Sequence, residues 1–218
     1  MNLLETLIGI ADTFVFDFDG TLVDSVPYEE VLKDVAFIAG FSYDQLYARY
    51  KDQWNGLDEA EAFHLTLVDK QSARKIRAAY RLFKASKERL EPLPKTVKIL
   101  VRLREAERRL ICWTRGDERL QRLAVRRSGL EQFFDRVIVP PVKTRETVHD
   151  MLLHVTNGAK FVLIGDMYDQ DIVPVEGLAD RRVWIYGSKA NSYCTTKAEP
   201  APDIIAIRAF ADLLKPAA

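Results

Sequence analysis

Val15–Asp24 reads V-F-D-F-D-G-T-L-V-D. A short apolar run, Thr13–Phe16, stops at Asp17 and Asp19, and Gly20 and Thr21 follow at once. The run is continuous rather than alternating, the pattern of a strand covered on both faces. Two carboxylates at the end of such a strand sit where only a proton, a cationic neighbour or a metal makes their charge tolerable. Asp17 and Asp19 are therefore candidate functional groups. The plainer reading, a solvated Asp-Gly turn, has to be weighed against what recurs downstream.

Four more runs of the same kind follow: Leu110–Trp113, Val137–Val139, Phe161–Ile164 and Val183–Tyr186. A weaker one, Ile204–Ile207, is predicted as an edge strand. Between them the period is helical. Thr96–Glu107 carries Val97, Leu100, Val101 and Leu103 on one side, and Glu118–Ser128 carries Leu120, Leu123 and Ala124 before Gly129. Thr144–Val155 carries Val148, Met151, Leu152 and Val155, and Ala209–Leu214 closes the chain. Strand and helix in alternation predict an α/β fold, a Rossmann-like parallel sheet with helices on both faces.

Residues 25–90 break that pattern. Pro27 suits a first helical turn and Gly40 a helix end. Ser42 with Gln45, and Asp58 with Glu61, have capping-box spacing. Ile76, Tyr80, Phe83 and Leu90 form one stripe, and Pro92 and Pro94 mark the return. The expectation is an α/β core domain at 1–24 and 91–218 and a small all-helical cap domain at 25–90. Tyr47, Tyr50 and Trp54 in the insertion fit a helical core face more readily than a substrate pocket.

Composition narrows the partners. Lysine plus arginine equals aspartate plus glutamate at 32 each, so no global field attracts nucleic acid or an anionic membrane. The arginine group Arg102, Arg104, Arg108 and Arg109 reads as a solvated helix face rather than a nucleic-acid patch. Cys112 and Cys194 are too few and too far apart for a disulfide framework. The first twelve residues lack a basic leader and are too short in apolar content for a membrane span. A cytoplasmic monomer or homodimer is expected. His64, His149 and His154 lack ligand-like spacing; His149 and His154 are one residue off an i,i+4 pair.

The ends of the apolar runs collect chemistry. Thr114 ends I-C-W-T and is followed by Arg115 and Gly116. Lys143 follows the third run, Gly165-Asp166 ends the fourth, and Asp171 lies just beyond. In a parallel sheet the carboxyl ends of the strands share one rim, where ligands bind. An all-oxygen set of acids suits Mg²⁺, and a carboxylate can attack phosphorus. A hydroxyl and a lysine can hold phosphoryl oxygens, and a second carboxyl can protonate the leaving group and then activate water. Alternatives stay open residue by residue. Thr114 also suits a strand end, and Lys143 a solvated loop with Arg145 as a rival cation. Asp171 could cap a helix, and Arg115 fits both a phosphate contact and a surface salt bridge.

Together these stretches resemble the haloacid dehalogenase-like hydrolase superfamily, in its magnesium-dependent phosphatase branch. D-F-D-G-T-L-V-D at 17–24 is similar to its first motif and L-I-C-W-T at 110–114 to its second. Lys143 is similar to the third and G-D-M-Y-D-Q-D-I at 165–172 to the fourth. The insertion resembles the cap of the phosphoglycolate phosphatase and β-phosphoglucomutase-like group. The resemblance implies Asp17 as nucleophile and Mg²⁺ ligand, and Asp19 as general acid/base with its backbone carbonyl on the metal. It implies Asp166 as the other protein ligand and Asp171 near the metal waters or Lys143. Thr114 and Lys143 would bind phosphate, helped by amides around Phe18 and Gly116, with Gly20 and Thr21 bracing the acidic loop. Met167 departs from the family's usual Ser or Thr, and Lys143 is not followed by the frequent Pro. Dehalogenases of this superfamily usually lack an acid at the place of Asp19. The implied activity is hydrolysis of a small phosphorylated metabolite. The alternatives are a phosphomutase and a phospho-receiver module, to which a first-strand acceptor and a large helical insertion are foreign.

Overall fold

β1, Thr13–Phe16, is buried at every position because each face of the sheet has its own apolar cover. The computed structural model describes residues 1–24, 90–116, 118–140, 142–187, 201 and 203–216, with single positions 33, 36, 37, 42, 45 and 85. The described residues build a six-stranded sheet of β1, β2 (Arg109–Trp113), β3 (Arg136–Ile138), β4 (Phe161–Gly165), β5 (Arg181–Ile185) and β6 (Ile204–Ile207). The spatial order is β3-β2-β1-β4-β5-β6, and all neighbours are parallel. Phe16 of β1 lies level with Cys112 of β2 and Ile164 of β4. The three strands that precede Asp17, Thr114 and Asp166 therefore finish side by side. The order also reverses about β1, which makes its carboxyl end the switch point where open α/β sheets bind ligands.

The period-two alternation divides the core. Phe14, Phe16, Leu110, Cys112, Val162, Ile164, Val183 and Ile185 point into one cluster. Val15, Ile111, Trp113, Phe161 and Leu163 point into the other. Each such side chain, fully removed from water, contributes about 1.5–3 kcal/mol before entropy is counted. Helices cover the first cluster: α1 (Leu3–Ile8), which buries Leu4 and Leu7, and α2 (Thr96–Glu105), which buries Ile99, Leu100 and Leu103. α3 (Glu118–Arg127) adds Ala124 and Val125. The second cluster is covered by α4, made of Arg145–Thr147, a π-helical stretch Val148–Leu153 and His154–Thr156.

Three features differ from the sequence reading. α1 has too few residues to show a period; its start is set by Asn2, whose Oδ1 accepts from the Glu5 N–H at 2.8 Å. β5 begins at Arg181 because Arg182, though charged, is buried, its guanidinium held by Asp203 at 2.5 Å and the Ile172 carbonyl at 3.3 Å. Phe210–Leu214 is a 3₁₀ turn rather than an α-helix. A π stretch, Val148–Leu153, carries His149 and runs up to His154, so the i,i+4 spacing rule of an α-helix does not apply to this pair. Both are exposed, and neither belongs to the cluster of potential metal ligands among the described residues.

The arginine group is not one helix face: Arg102 and Arg104 lie on α2, Arg108 follows it and Arg109 opens β2, and the first three are ion-paired at the surface. Arg102 meets Glu5 at 2.8 Å, Arg104 meets Asp135 at 2.8 Å and Arg108 meets Asp12 at 3.1 Å. The Ser42–Gln45 capping box is formed in both directions, at 3.0 and 3.2 Å. The rest of the expected cap, with Asp58, Glu61, Tyr47, Tyr50, Trp54 and His64, lies outside the described residues, as does Cys194. The residues flanking that stretch run antiparallel. Asp24 N–H donates to the Glu91 carbonyl (3.1 Å), and Leu93 N–H to that of Leu22 (2.9 Å). Among the described residues no helix is long and apolar enough to cross a membrane.

Candidate active site

Asp17 is the first residue past β1, and its N–H still donates to Ile164 of β4, at 2.9 Å. The ladder thus fixes the direction of its side chain. Phe18 turns the chain: its carbonyl accepts from Leu22 N–H at 2.9 Å and Val23 N–H at 3.2 Å. Gly20, at φ 80°, supplies the left-handed step this turn requires. Thr21 is fully buried below the loop, with no hydrogen-bond partner for its hydroxyl; its backbone N–H reaches the Phe18 carbonyl at 3.4 Å.

β4 delivers the next acid. Gly165 ends the strand, and Asp166 is completely buried. A π-helical turn, Tyr168–Ile172, then brings Asp171 back over Gly165. A Cβ at Gly165 would lie 2.5 Å from the Cβ and Oδ2 of Asp171, so glycine is required for that approach. Asp171 Oδ2 accepts from the Met167 N–H at 2.9 Å, which fixes its carboxylate. Trp184 of β5 donates its indole N–H to the Asp166 carbonyl at 3.0 Å and stacks edge-on against Tyr168.

Lys143 joins the acids. Its side chain is 2% exposed, and Nζ lies 2.5 Å from Asp17 Oδ1 and 2.6 Å from Asp171 Oδ1. It is no loop lysine in solvent. The rival cation, Arg145, is exposed and donates to the Glu176 carbonyl at 2.7 Å. Thr114 continues the β2–β3 ladder through its N–H to the Ile138 carbonyl, at 3.1 Å, and its side chain is buried. Arg115 follows, half-buried, and Gly116 at φ 134° turns the chain toward α3.

Asp17, Asp166 and Asp171 each offer an oxygen, all within 4.8 Å of one another, and all three are buried. Three acids face one ammonium. Burial pushes the Asp17 carboxyl up to about 7, against the pull of Lys143 and with added repulsion from Asp171 and Asp19. For Lys143, burial opposes the charge, but Asp17 and Asp171 together hold the ammonium above its usual range. This surplus of buried carboxylate is what a divalent cation relieves, and an all-oxygen donor set suits Mg²⁺. The cluster could therefore hold a metal.

The model of the haloacid dehalogenase-like hydrolase family matches residues 14–169, from inside β1 to just past Asp166. The chain belongs to that family. Among solved structures, this haloacid dehalogenase-like hydrolase is similar to a phosphatase of the family from Thermococcus onnurineus. The two are 20% identical, with a TM-score of 0.65 over 93% of this chain and 95% of that one. It is also similar to YfnB of Bacillus subtilis, solved bound to magnesium (17% identity, TM-score 0.68, 94% and 97% covered). A third is the L-2-haloacid dehalogenase of Xanthobacter autotrophicus (16% identity, TM-score 0.65, 94% and 97% covered). At these identities the likeness shows the fold. No curated protein matches the chain.

Two contributors escaped the sequence reading. Gln121 occupies a polar slot in an amphipathic helix, yet it is 2% exposed, and its Nε2 donates to Asp19 Oδ2 at 2.9 Å. Trp184 reads as one more apolar strand residue, and only the fold places its N–H on Asp166. The sequence held no signal for either: Gln121 occupies a polar position in an amphipathic helix, and Trp184 one more apolar strand position.

Proposed function

We propose that the protein is a Mg²⁺-dependent phosphatase that hydrolyses a small phosphorylated metabolite through an aspartyl-phosphate on Asp17. The observation that carries this reading is the buried set Asp17, Asp166 and Asp171, with oxygens within 4.8 Å of one another and Lys143 at its edge. Asp19 favours phosphoryl transfer over dehalogenation, because a second carboxyl two residues on has a proton to manage only when an oxygen leaves and water enters.

In this reading Asp17 and Asp166, with the Asp19 backbone carbonyl, would hold Mg²⁺, which when bound would offset the charge of the acids and of the incoming phosphate. An Asp17 oxygen attacks phosphorus as the bond to the leaving oxygen breaks. Asp19 gives that oxygen its proton, then takes one from the water that attacks the phosphoryl group and frees Asp17. Thr114 and Lys143 hold the equatorial oxygens as charge spreads, with Arg115 at the rim. Asp171 keeps Lys143 in place, which its 2.6 Å contact supports.

A screen of phosphoesters with and without Mg²⁺ tests the reading. Magnesium-dependent release of phosphate is expected, and Asp17→Asn should abolish it. Absence of release across the panel, or turnover retained by Asp17→Asn, would refute it. Transfer to a second hydroxyl of a sugar phosphate without release would identify a mutase instead.

A further inference from the structure

α3 begins two residues after Gly116, and its first turn brings Gln121 back under the loop that follows β2. The side chain is 2% exposed. Nε2 donates twice, to Asp19 Oδ2 at 2.9 Å and to the Arg115 carbonyl at 2.6 Å. Both partners are acceptors, so the amide orientation is determined: its nitrogen must face them. Oε1 is left buried without a hydrogen-bond partner.

That last detail is informative. A buried amide oxygen with no donor costs stability, and an apolar side chain of the same length would avoid the cost. The bond to the Arg115 carbonyl fastens the loop, and it needs no second partner on a carboxylate. What gains is Asp19, a partly buried residue on the tight turn after β1, whose carboxyl Oδ2 takes the amide bond. Lys143 directs its short contacts to Asp17 and Asp171. The Gln121 amide instead binds Asp19 and, through the Arg115 carbonyl, the stretch that carries Thr114.

We infer that Gln121 is a positioning residue that locks the Asp19 carboxyl to the phosphate-binding loop, so that acid and phosphate share one anchor. This rests on the phosphatase reading with Asp19 as proton donor. One N–H bond orients the carboxyl, and the second ties it to the backbone that directly follows Thr114. Loss of the amide leaves Asp17, the metal ligands and Lys143 intact but lets Asp19 rotate away from the leaving oxygen. Misplacement of about 1 Å is enough to lose much of a positioned group's effect.

The discriminating measurement is leaving-group dependence. p-Nitrophenolate departs without a proton; phenolate departs much faster with one. kcat/KM, which reports events up to formation of the aspartyl-phosphate, is compared for p-nitrophenyl and phenyl phosphate in Mg²⁺. Gln121→Met, matched in length and helix propensity, is expected to lose about tenfold or more on phenyl phosphate, part of the 10²–10⁴ that acid catalysis supplies. Its loss on p-nitrophenyl phosphate should be several-fold smaller. Gln121→Glu, which keeps the shape but sets a carboxylate against Asp19, should show the same asymmetry and carries the test if the Met variant does not fold. In an Asp19→Asn background, Gln121→Met should have no further effect on phenyl phosphate. Equal losses on both substrates, or an undiminished effect in the Asp19→Asn background, would overturn the inference while leaving the phosphatase reading in place. A wild-type protein inactive on both esters would remove that reading and this one with it.

Discussion

Lys143 and the acids around it set the residue-scale behaviour. Lys143 is buried between Asp17 and Asp171, so Lys143→Met would leave two carboxylates facing each other without their cation. Breaking a buried pair in this way costs about 3–5 kcal/mol. Urea unfolding at neutral pH without Mg²⁺ should show a loss of that order. Asp17 gives a pH dependence with a definite sign. Burial in the fold pushes its carboxyl up to about 7, from the ordinary 3.8 of the unfolded chain. Between these values the native state holds the extra proton, so this group makes stability fall as pH rises. Mg²⁺ taken up at Asp17 would have to displace that proton below about pH 7, so its affinity should drop about tenfold per unit there. Calorimetric titration at pH 5.5, 6.5 and 7.5 reads both the affinity and the proton release. Gly165→Ala should weaken Mg²⁺ binding at least about tenfold, because the new methyl displaces Asp171, a change of about 1.4 kcal/mol or more. An unchanged affinity would show that Asp171, and the Lys143 it anchors, do not support the ion site.

At the scale of elements, the strands were legible because an apolar run with no alternation admits few other structures. Thr13–Phe16 and Ile204–Ile207 fall where the pattern predicts. β5 was displaced because Arg181 and Arg182 conceal its start, and no local signal reveals that Asp203 lies beside Arg182. α1 was missed because less than two turns show no period. The acids, Thr114 and Lys143 were legible from their places at strand ends, whereas Gln121 was hidden because a polar helix position ordinarily faces water. Cys112 illustrates what the element itself controls. It sits inside β2, level with Phe16, and burial, with Asp17 adding to it, raises its thiol far above the usual range. It should resist thiol reagents in the native protein and react at an ordinary rate in denaturant; rapid native labelling would show that β2 opens.

For the whole molecule, the site exists only because the sheet assembles it. Asp17, Thr114, Lys143 and Asp166 come from four separate parts of the chain, and the parallel register of β1, β2 and β4 is what brings their ends together. Metal binding and global stability are therefore linked: 10 mM Mg²⁺ should raise the melting temperature of the wild type and not that of Asp166→Asn. The loop that bears Asp19 is also continuous with the strand-like pairing of Leu22–Asp24 against Glu91–Leu93, where Thr96 Oγ1 adds a bond to the Leu22 carbonyl at 3.2 Å. The indole of Trp184, bonded to the Asp166 carbonyl, has one more consequence. Its fluorescence reports on the peptide that carries Asp166, so a change in emission on adding Mg²⁺ that Trp184→Phe removes, with Trp54 and Trp113 left in place, is the expected optical sign of cation uptake.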